Sequence, residues 1–343
     1  MAYTTVNKST AHFNTKIYTG TGSSNAITGV GFQPDLVWLK DREATYDHNV
    51  FDAVRGATKY IYTNATDAEV THAERLKSFD SDGFTLGTQA AVNSSNDFVS
   101  WNWKANGAGV TNNDGSVTST VSVNATAGFS IVKYNVGSGG AITVGHGLGS
   151  APELIISKGY SSASNWILGA DVLSPTWENY VLLNGSQVEA DSTLWEDVAP
   201  TSTVFATSSA VYGNNLDNIA YCFKSIPGYS RIGLYKGNNS QNDGVFIYTG
   251  FAPSCVMIKN LIVAEHWVIH DNKRPGYNGN GYYLYPNLSN VEATNNTSHT
   301  VDLLSNGFKI RSDNDQWNDA ANTLYMAWGQ TIVGTNDCPA TAR

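Results

Sequence analysis

The sequence predicts an all-β protein made of three tandem β-sandwich or barrel-like repeat units, each about the size of a small domain. Three observations support this fold class. Charged residues make up only 14% of the 343 residues, and 32 glycines favour turns and strands over long surface helices. The chain resembles itself at a long period. Short runs of β-branched and aromatic residues recur between clusters of Gly, Asn and Asp.

The repeat is clearest around three prolines, each with Gly three residues before it and Lys six residues after it. An Asp follows each Lys by 12 or 13 residues. The signature residues are Pro34, Lys40 and Asp52, then Pro152, Lys158 and Asp171, then Pro253, Lys259 and Asp271. The prolines lie 118 and 101 residues apart, which is too long for one turn of a solenoid and fits whole domains.

The elements within a repeat follow from local patterns. Each signature Pro precedes an apolar run, and its missing N–H is tolerated at a strand entry. The runs at 36–39 and 255–258 have no polar alternation, which predicts strands covered on both faces. Asp82-Gly83 and Asn306-Gly307 predict tight turns before later strands. Residues 65–76 are the one stretch expected to carry a turn or two of helix.

These patterns divide the chain into six segments. Residues 105–126 are rich in Gly, Asn, Thr and Ser and predict a linker, so the first repeat is expected to be attached more loosely than the others. The segments are an N-terminal arm (1–10), repeat 1 (11–104), the linker (105–126), repeat 2 (127–225), repeat 3 (226–330) and a C-terminal tail (331–343).

The charge balance excludes two classes of partner. With a formal charge of −9 and a pI near 5.2, the chain has neither the basic footprint of a nucleic-acid-binding protein nor a polybasic membrane patch. No run approaches the length of a membrane helix, and the N-terminus lacks the pattern of a signal peptide, so we expect synthesis in a cytoplasm. Cys222, Cys255 and Cys338 fit neither a disulfide framework nor a zinc site, and the first two are expected to be buried.

No catalytic or metal-binding constellation stands out, and no cofactor is expected. His266 and His270 lie four apart, but Trp-Val-Ile between them indicates a strand, which would place them too far apart to share one zinc. The recurring Asp residues are expected to accept backbone N–H bonds at turns, or to pair with an Arg three residues later. Repeats 1 and 3 have Arg55 and Arg274 at that position, whereas repeat 2 has Ser174. We therefore predict that the chain is not an enzyme.

Aromatic residues that do not recur in register are the best candidates for contacts with a ligand, because aromatic side chains are common in sugar-binding and protein-binding loops. Residues 274–282 have the composition of a binding loop, with Gly, Asn and Tyr alternating. The surface candidates are Trp166, Trp177, Trp195, Tyr277, Tyr282 and Trp317.

Several segments, taken together, resemble a repeat domain of structural, tail-fibre-like proteins from marine tailed bacteriophages, including those that infect cyanobacteria. The resemblance covers nearly the whole chain. Its matching segments are 1–5, 13–20, 51–59, 78–84, 127–132, 145–149, 248–251, 256–259 and 339–343. Repeat 2 departs from the pattern, since Val204-Phe205 lacks the Gly-Phe pair and no Arg follows Asp171.

The resemblance implies a virion protein on the particle surface, made in the host cytoplasm. Three functions remain open: a tail fibre or host-receptor-binding component, a capsid decoration or head-fibre protein without a receptor role, and a polysaccharide-degrading enzyme. Expected partners are other virion proteins, copies of the chain itself with a trimer favoured, and a host surface glycan or protein. The two terminal segments are expected to need a partner surface to hold them.

Overall fold

The computed structural model describes residues 4–209, 213–274, 279, 281–294 and 299–330. The predicted all-β fold class is confirmed, since antiparallel sheets account for nearly all regular structure in these residues. Two helices of four residues each, Ala90–Asn93 (α1) and Asp315–Asn318 (α2), are the only α-helices described. No helix in the described part of the chain has the length and hydropathy to cross a membrane.

Repeat 1 contains one large and one small antiparallel sheet. The large sheet has the strand order β1-β9-β3-β4-β5-β6, and the small sheet has the order β2-β8-β7. The strands are β1 (Phe13–Thr19), β2 (Asn25–Thr28), β3 (Leu36–Asp41), β4 (Asn49–Asp52), β5 (Lys59–Tyr62), β6 (Val70–Thr71), β7 (Leu76–Asp80), β8 (Gly83–Leu86) and β9 (Asp97–Trp103).

Repeat 2 has a large sheet of order β10-β11-β12-β19-β14-β15-β16-β17 and a small sheet of β13 and β18. The strands are β10 (Val110–Asn112), β11 (Ser119–Asn124), β12 (Phe129–Asn135), β13 (Ala141–Gly145), β14 (Leu154–Gly159), β15 (Trp166–Ala170), β16 (Asn179–Leu182), β17 (Ala190–Asp191), β18 (Val204–Ser208) and β19 (Asp217–Phe223).

Repeat 3 has a large sheet of order β20-β26-β22-β23 and a small sheet of order β21-β25-β24. The strands are β20 (Ser230–Lys236), β21 (Phe246–Tyr248), β22 (Ala252–Asn260), β23 (Val268–Asp271), β24 (Thr300–Leu304), β25 (Gly307–Arg311) and β26 (Asn322–Gln330). Single bridges from Ile269 to Leu284 and from Tyr283 to Ala293 extend the large sheet beyond β23.

The same strand order recurs in all three large sheets. In each repeat the first strand pairs with the last, the last pairs with the strand after the signature proline, and the next strand follows that one. Pro34 and Pro152 lie just before their strands, and Pro253 lies at a bulge near the start of β22. Each proline therefore occupies the strand entry at which its missing N–H is tolerated.

The central strands of each large sheet are buried on both faces, as the continuous apolar runs predict. In β3, Val37 and Leu39 face a core inside repeat 1, between its large and small sheets. Leu36 and Trp38, on the opposite face, belong to a second core that all three repeats share. Repeats 2 and 3 have equivalent inner cores of their own. Because side chains alternate along a strand, two-sided burial removes the polar alternation from the sequence.

The shared core is lined by side chains from all three large sheets. Trp103, Phe223 and Trp328, from the last strands of the three repeats, pack edge to face with ring centroids 5.3 to 6.3 Å apart. A small apolar cavity of about 30 Å³ lies beside them and is lined from all three repeats. The three units therefore form one hydrophobic assembly and are not independent domains in series.

Three equivalent backbone hydrogen bonds close the three units into a ring. Each runs from the N–H of a recurring Glu to a carbonyl two residues beyond the signature Lys of the next repeat. The pairs are Glu69 to Tyr160 at 2.7 Å, Glu189 to Leu261 at 2.9 Å and Glu292 to Arg42 at 2.8 Å. Since the third bond returns to repeat 1, a threefold arrangement is completed within a single chain.

Three sequence expectations are wrong. Residues 105–126 contain β10 and β11, which extend the sheet of repeat 2, so this segment is not a loose linker. Residues 65–76 contain β6 and no helix. The described part of the N-terminal arm is held by its own chain: Val6 is 1% exposed in the shared core, and the Ser9 N–H donates to Gln330. The tail (331–343) lies outside the described residues.

Candidate functional site

The predicted surface aromatics do not form a site. Trp166, Trp177, Trp195 and Trp317 are each at most 2% exposed, so the prediction that they lie on the surface is wrong. Trp166 belongs to the shared core, and its indole N–H donates to the Tyr62 carbonyl of repeat 1 at 2.6 Å. Trp166 does recur: Trp267 lies at the same distance after Lys259 and donates its indole N–H to the Leu182 carbonyl of repeat 2 at 2.8 Å.

The other surface candidates are tyrosines. Tyr282 is partly buried, and Tyr277 lies outside the described residues.

Trp177 and Trp195 contact each other edge to face in the core of repeat 2, with ring centroids 5.5 Å apart. Trp317 packs in the corresponding core of repeat 3. Trp177, Trp195 and Trp317 therefore fill the inner cores of their own repeats.

The signature lysines are fully buried, and two of them donate hydrogen bonds to the preceding repeat. The Lys158 ammonium donates to the Thr66 carbonyl of repeat 1, and the Lys259 ammonium donates to the Ser186 carbonyl of repeat 2. Lys40 donates to carbonyls of its own repeat. Burial lowers the pKa of all three ammonium groups to about 8. Their recurrence therefore reflects bonding of loops and neighbouring repeats.

Two of the three junctions carry a buried cluster of ionic groups. Asp271 accepts the backbone N–H groups of Lys273 and Arg274, and it pairs with the Arg274 guanidinium at 2.8 Å. Arg274 also pairs with Glu292 at 2.9 Å, and Asp271 accepts the indole N–H of Trp101 from repeat 1 at 3.1 Å. Burial alone would raise the pKa of Asp271, but the Arg274 guanidinium and the backbone N–H groups of Arg274 and Lys273 lower it overall.

Repeat 1 presents the same arrangement to repeat 2. Asp52 pairs with Arg55 at 2.5 Å, Arg55 pairs with Glu69 at 3.0 Å, and Tyr221 of repeat 2 donates its hydroxyl to Asp52 at 2.8 Å. Tyr221 lies at the position that Trp101 has in repeat 1, so both junctions use an aromatic donor from the last strand of the next repeat. The carboxylates at these two junctions have cationic partners.

The junction between repeats 2 and 3 lacks this cluster. Ser174 replaces the Arg, and Met326 replaces the aromatic donor. Leu261 lies where the other two junctions have Tyr160 and Arg42, of which Arg42 pairs with Glu292. Asp171 cannot be buried without a partner at an acceptable free-energy cost, and it is exposed in this structure. The sequence pattern marks Ser174 alone, and the differences at Leu261 and Met326 become visible only when the neighbouring residues in the structure are known.

The exposed Asp171 lines a cleft of about 480 Å³ between repeats 2 and 3. Glu153, Arg231 and the 55% exposed Tyr248 line the same cleft. Burial, and then the charge of Glu153, raises the pKa of Asp171. One oxygen of Glu153 accepts the Ser225 N–H at 3.1 Å. The cleft thus combines two acidic acceptors, a guanidinium donor and an aromatic ring in a volume typical of ligand sites.

A second opening at this junction, here called the Glu189 groove, has a volume of about 380 Å³. It is lined by Asn179, Val188, Glu189, Ala190, Asp191, Leu261 and Ile262. Glu189 accepts an amide N–H from Asn179 at 2.7 Å, and no cation lies within ion-pair distance of it among the described residues. Burial raises the pKa of Glu189, and the bond from Asn179 opposes this effect.

The histidine and cysteine side chains form no metal site among the described residues. His270 is fully buried in β23, where burial lowers its pKa to about 3, and no group of three His, Cys, Asp or Glu side chains there could hold a metal. Cys222 and Cys255 are buried among apolar residues as predicted, while Cys338 lies outside the described part.

The fold and its junctions define a class of protein: an all-β ring of three sandwich-like units around one core. Over residues 8–331 the chain matches a family model described as a domain of unknown function (DUF7483), and it belongs to that family. The match spans all three repeats, so the family unit is the whole ring. No curated protein and no solved structure matches the chain.

Proposed function

We propose that this chain is a structural protein on the surface of a bacteriophage particle, acting as a tail-fibre or host-receptor-binding component. The proposal is carried by one observation, the cleft of Asp171, Glu153, Arg231 and Tyr248 at the single junction that lacks the buried ionic cluster. All three junctions keep the backbone bond that closes the ring, and this one also offers polar and aromatic groups to solvent. The resemblance of the sequence to tail-fibre-like proteins of marine phages supports the same role.

Receptor binding suits the chemistry of the cleft. The carboxylates of Glu153 and Asp171 can accept hydrogen bonds from hydroxyl groups, the Arg231 guanidinium can donate them, and the exposed Tyr248 ring can stack against an apolar face. A host surface glycan or a polar protein loop has these complementary groups. The proposal includes no cofactor and no nucleic acid.

Assembly on a particle is part of the proposal. Its partners are other virion proteins and copies of the chain, with a homo-trimer favoured by the resemblance to fibres. Residues 4–10 need no partner to hold them, because they pack on their own chain. Sedimentation of the purified chain decides the point: a trimer mass supports self-assembly, and a single-chain mass restricts assembly to other virion proteins.

Immuno-electron microscopy of a phage that encodes this chain tests the proposal. An epitope inserted beside Gly139 is suitable, because that position is open and exposed. We expect label on tail fibres, together with competition by the purified protein for adsorption to host cells. Label on the head with no effect on adsorption supports the alternative of a capsid decoration or head-fibre protein. Particles without label refute both versions.

A polysaccharide-degrading enzyme is the second candidate, since Glu153 and Asp171 form a carboxylate pair in one cleft and the pKa of Asp171 is raised. We propose binding without cleavage, because one Glu153 oxygen already accepts a backbone N–H. Purified protein should release no reducing ends from host polysaccharide. Release that Glu153→Gln and Asp171→Asn each abolish contradicts the binding role and establishes the enzyme.

A further inference from the structure

We propose that the Glu189 groove binds an arginine side chain presented by a partner protein. The equivalent position between repeats 3 and 1 already holds a guanidinium, since Arg42 bonds Glu292 at 2.6 Å. Leu261 occupies the position of Arg42 at the junction between repeats 2 and 3, and Tyr160 occupies it between repeats 1 and 2. The junction between repeats 3 and 1 therefore contains an arginine guanidinium that the junction between repeats 2 and 3 lacks at this position.

The Glu189 carboxylate in the groove is positioned to bind a cation. Glu189 has the same backbone bond to the next repeat as Glu69 and Glu292, so its position in the ring is equivalent to theirs. Both of those carboxylates have an Arg partner at 2.6 to 3.0 Å, whereas Glu189 has only the Asn179 amide. A guanidinium that enters the groove would be partly shielded from water, where an ion pair is stronger than on an open surface.

The walls of the groove suit the rest of an arginine side chain. Ile262 is 61% exposed and Val188 is 38% exposed, so each offers apolar surface to the aliphatic part of an arginine. Asp191 lies in the same groove and adds a second negative charge. A planar guanidinium can bond a carboxylate through two N–H groups, which a lysine ammonium cannot do in the same geometry. The proposed ligand is therefore arginine and not any cation.

The inference concerns the partner's chemistry and holds whether or not the chain is a virion protein. Methyl-labelled protein titrated with N-acetyl-arginine amide tests it by NMR. The Val188 and Ile262 methyl signals should shift in a saturable way, and the citrulline and lysine analogues should bind at least about tenfold more weakly. Equal shifts with citrulline or lysine overturn the proposal, as does the absence of saturable shifts with arginine.

Two variants and a control make the test specific. Leu261→Arg should fill the groove with the chain's own guanidinium and abolish the titration. Leu261 is 1% exposed in the shared core, so this variant also loses apolar packing and its unfolding temperature is not the readout. Glu189→Gln should weaken binding by about tenfold or more, because a charge-assisted hydrogen bond is lost, and it provides a second readout should Leu261→Arg fold poorly. The exposed Glu178→Gln should leave binding unchanged. Binding that survives both groove variants, or that falls equally in the control, refutes the assignment.

Discussion

Replacing Arg274 with Met should destabilise the ring more than any change at the equivalent position of repeat 2. The Arg274 guanidinium is fully buried and bonds Asp271, Glu292 and the carbonyl of Ile269 at 2.8 to 2.9 Å. Methionine would fill much of the space but would leave the Asp271 charge buried without a cation. Removing one partner of a buried ion pair costs about 3–5 kcal/mol. Glu292 keeps Arg42, so the loss should not exceed this range.

Urea unfolding followed by tryptophan fluorescence measures the loss, and Ser174→Ala is the matched control. Ser174 has only a hydroxyl contact with Thr176 at 2.9 Å, so its removal should cost about 0.5–1.5 kcal/mol. Adding Asp271→Asn to the Arg274→Met variant should recover part of the stability, because no charge then remains buried at that position. A cost for Arg274→Met no larger than that of Ser174→Ala refutes the view that the ionic clusters hold the ring together.

The Arg274→Met variant should also reverse the pH dependence of the contribution that Asp271 makes to stability. In the native protein the pKa of Asp271 is lowered, so its contribution to stability is present above the unfolded pKa near 3.9 and is lost as the pH falls through the lower folded pKa. Without Arg274, burial should raise the pKa of Asp271. Protonation of Asp271 at lower pH should then remove the free-energy cost of burying its charge. The difference in unfolding free energy between native and variant protein should therefore narrow between about pH 6 and pH 4. A constant difference contradicts this explanation.

Further predictions concern packing and the buried lysines. Gly169→Ala should destabilise the protein, since a Cβ there would lie 2.4 Å from the Trp195 ring nitrogen, whereas Gly139→Ala meets open space and should be nearly neutral in thermal unfolding. Lys259 has a folded pKa of about 8 against about 10.4 unfolded, so its burial penalty is relieved as the pH rises between these values. The unfolding free energy of Lys259→Met should consequently rise less with pH over that interval than that of the native protein, and equal slopes would contradict the lowered pKa.

The sequence by itself determined the fold class and the recurring signature. The apolar runs predicted two-sided burial of strands such as β3, and the spacing from Lys to Asp identified positions that turn out to be equivalent in the ring. These features are local: strand burial, turns and proline placement depend on a few adjacent residues, so they leave a readable pattern.

Only the tertiary structure decided how the three repeats meet and which surface is left open. Trp166 is predicted from the sequence to be a surface contact residue, yet its indole N–H donates to the Tyr62 carbonyl of another repeat and its ring packs in the shared core. The open junction depends on Ser174, Leu261 and Met326, which are far apart in sequence and act on one interface. Contacts between distant segments carry no periodic signal, so the clefts beside Asp171 and Glu189 follow from the closed ring and from its single junction without a buried Asp–Arg–Glu cluster.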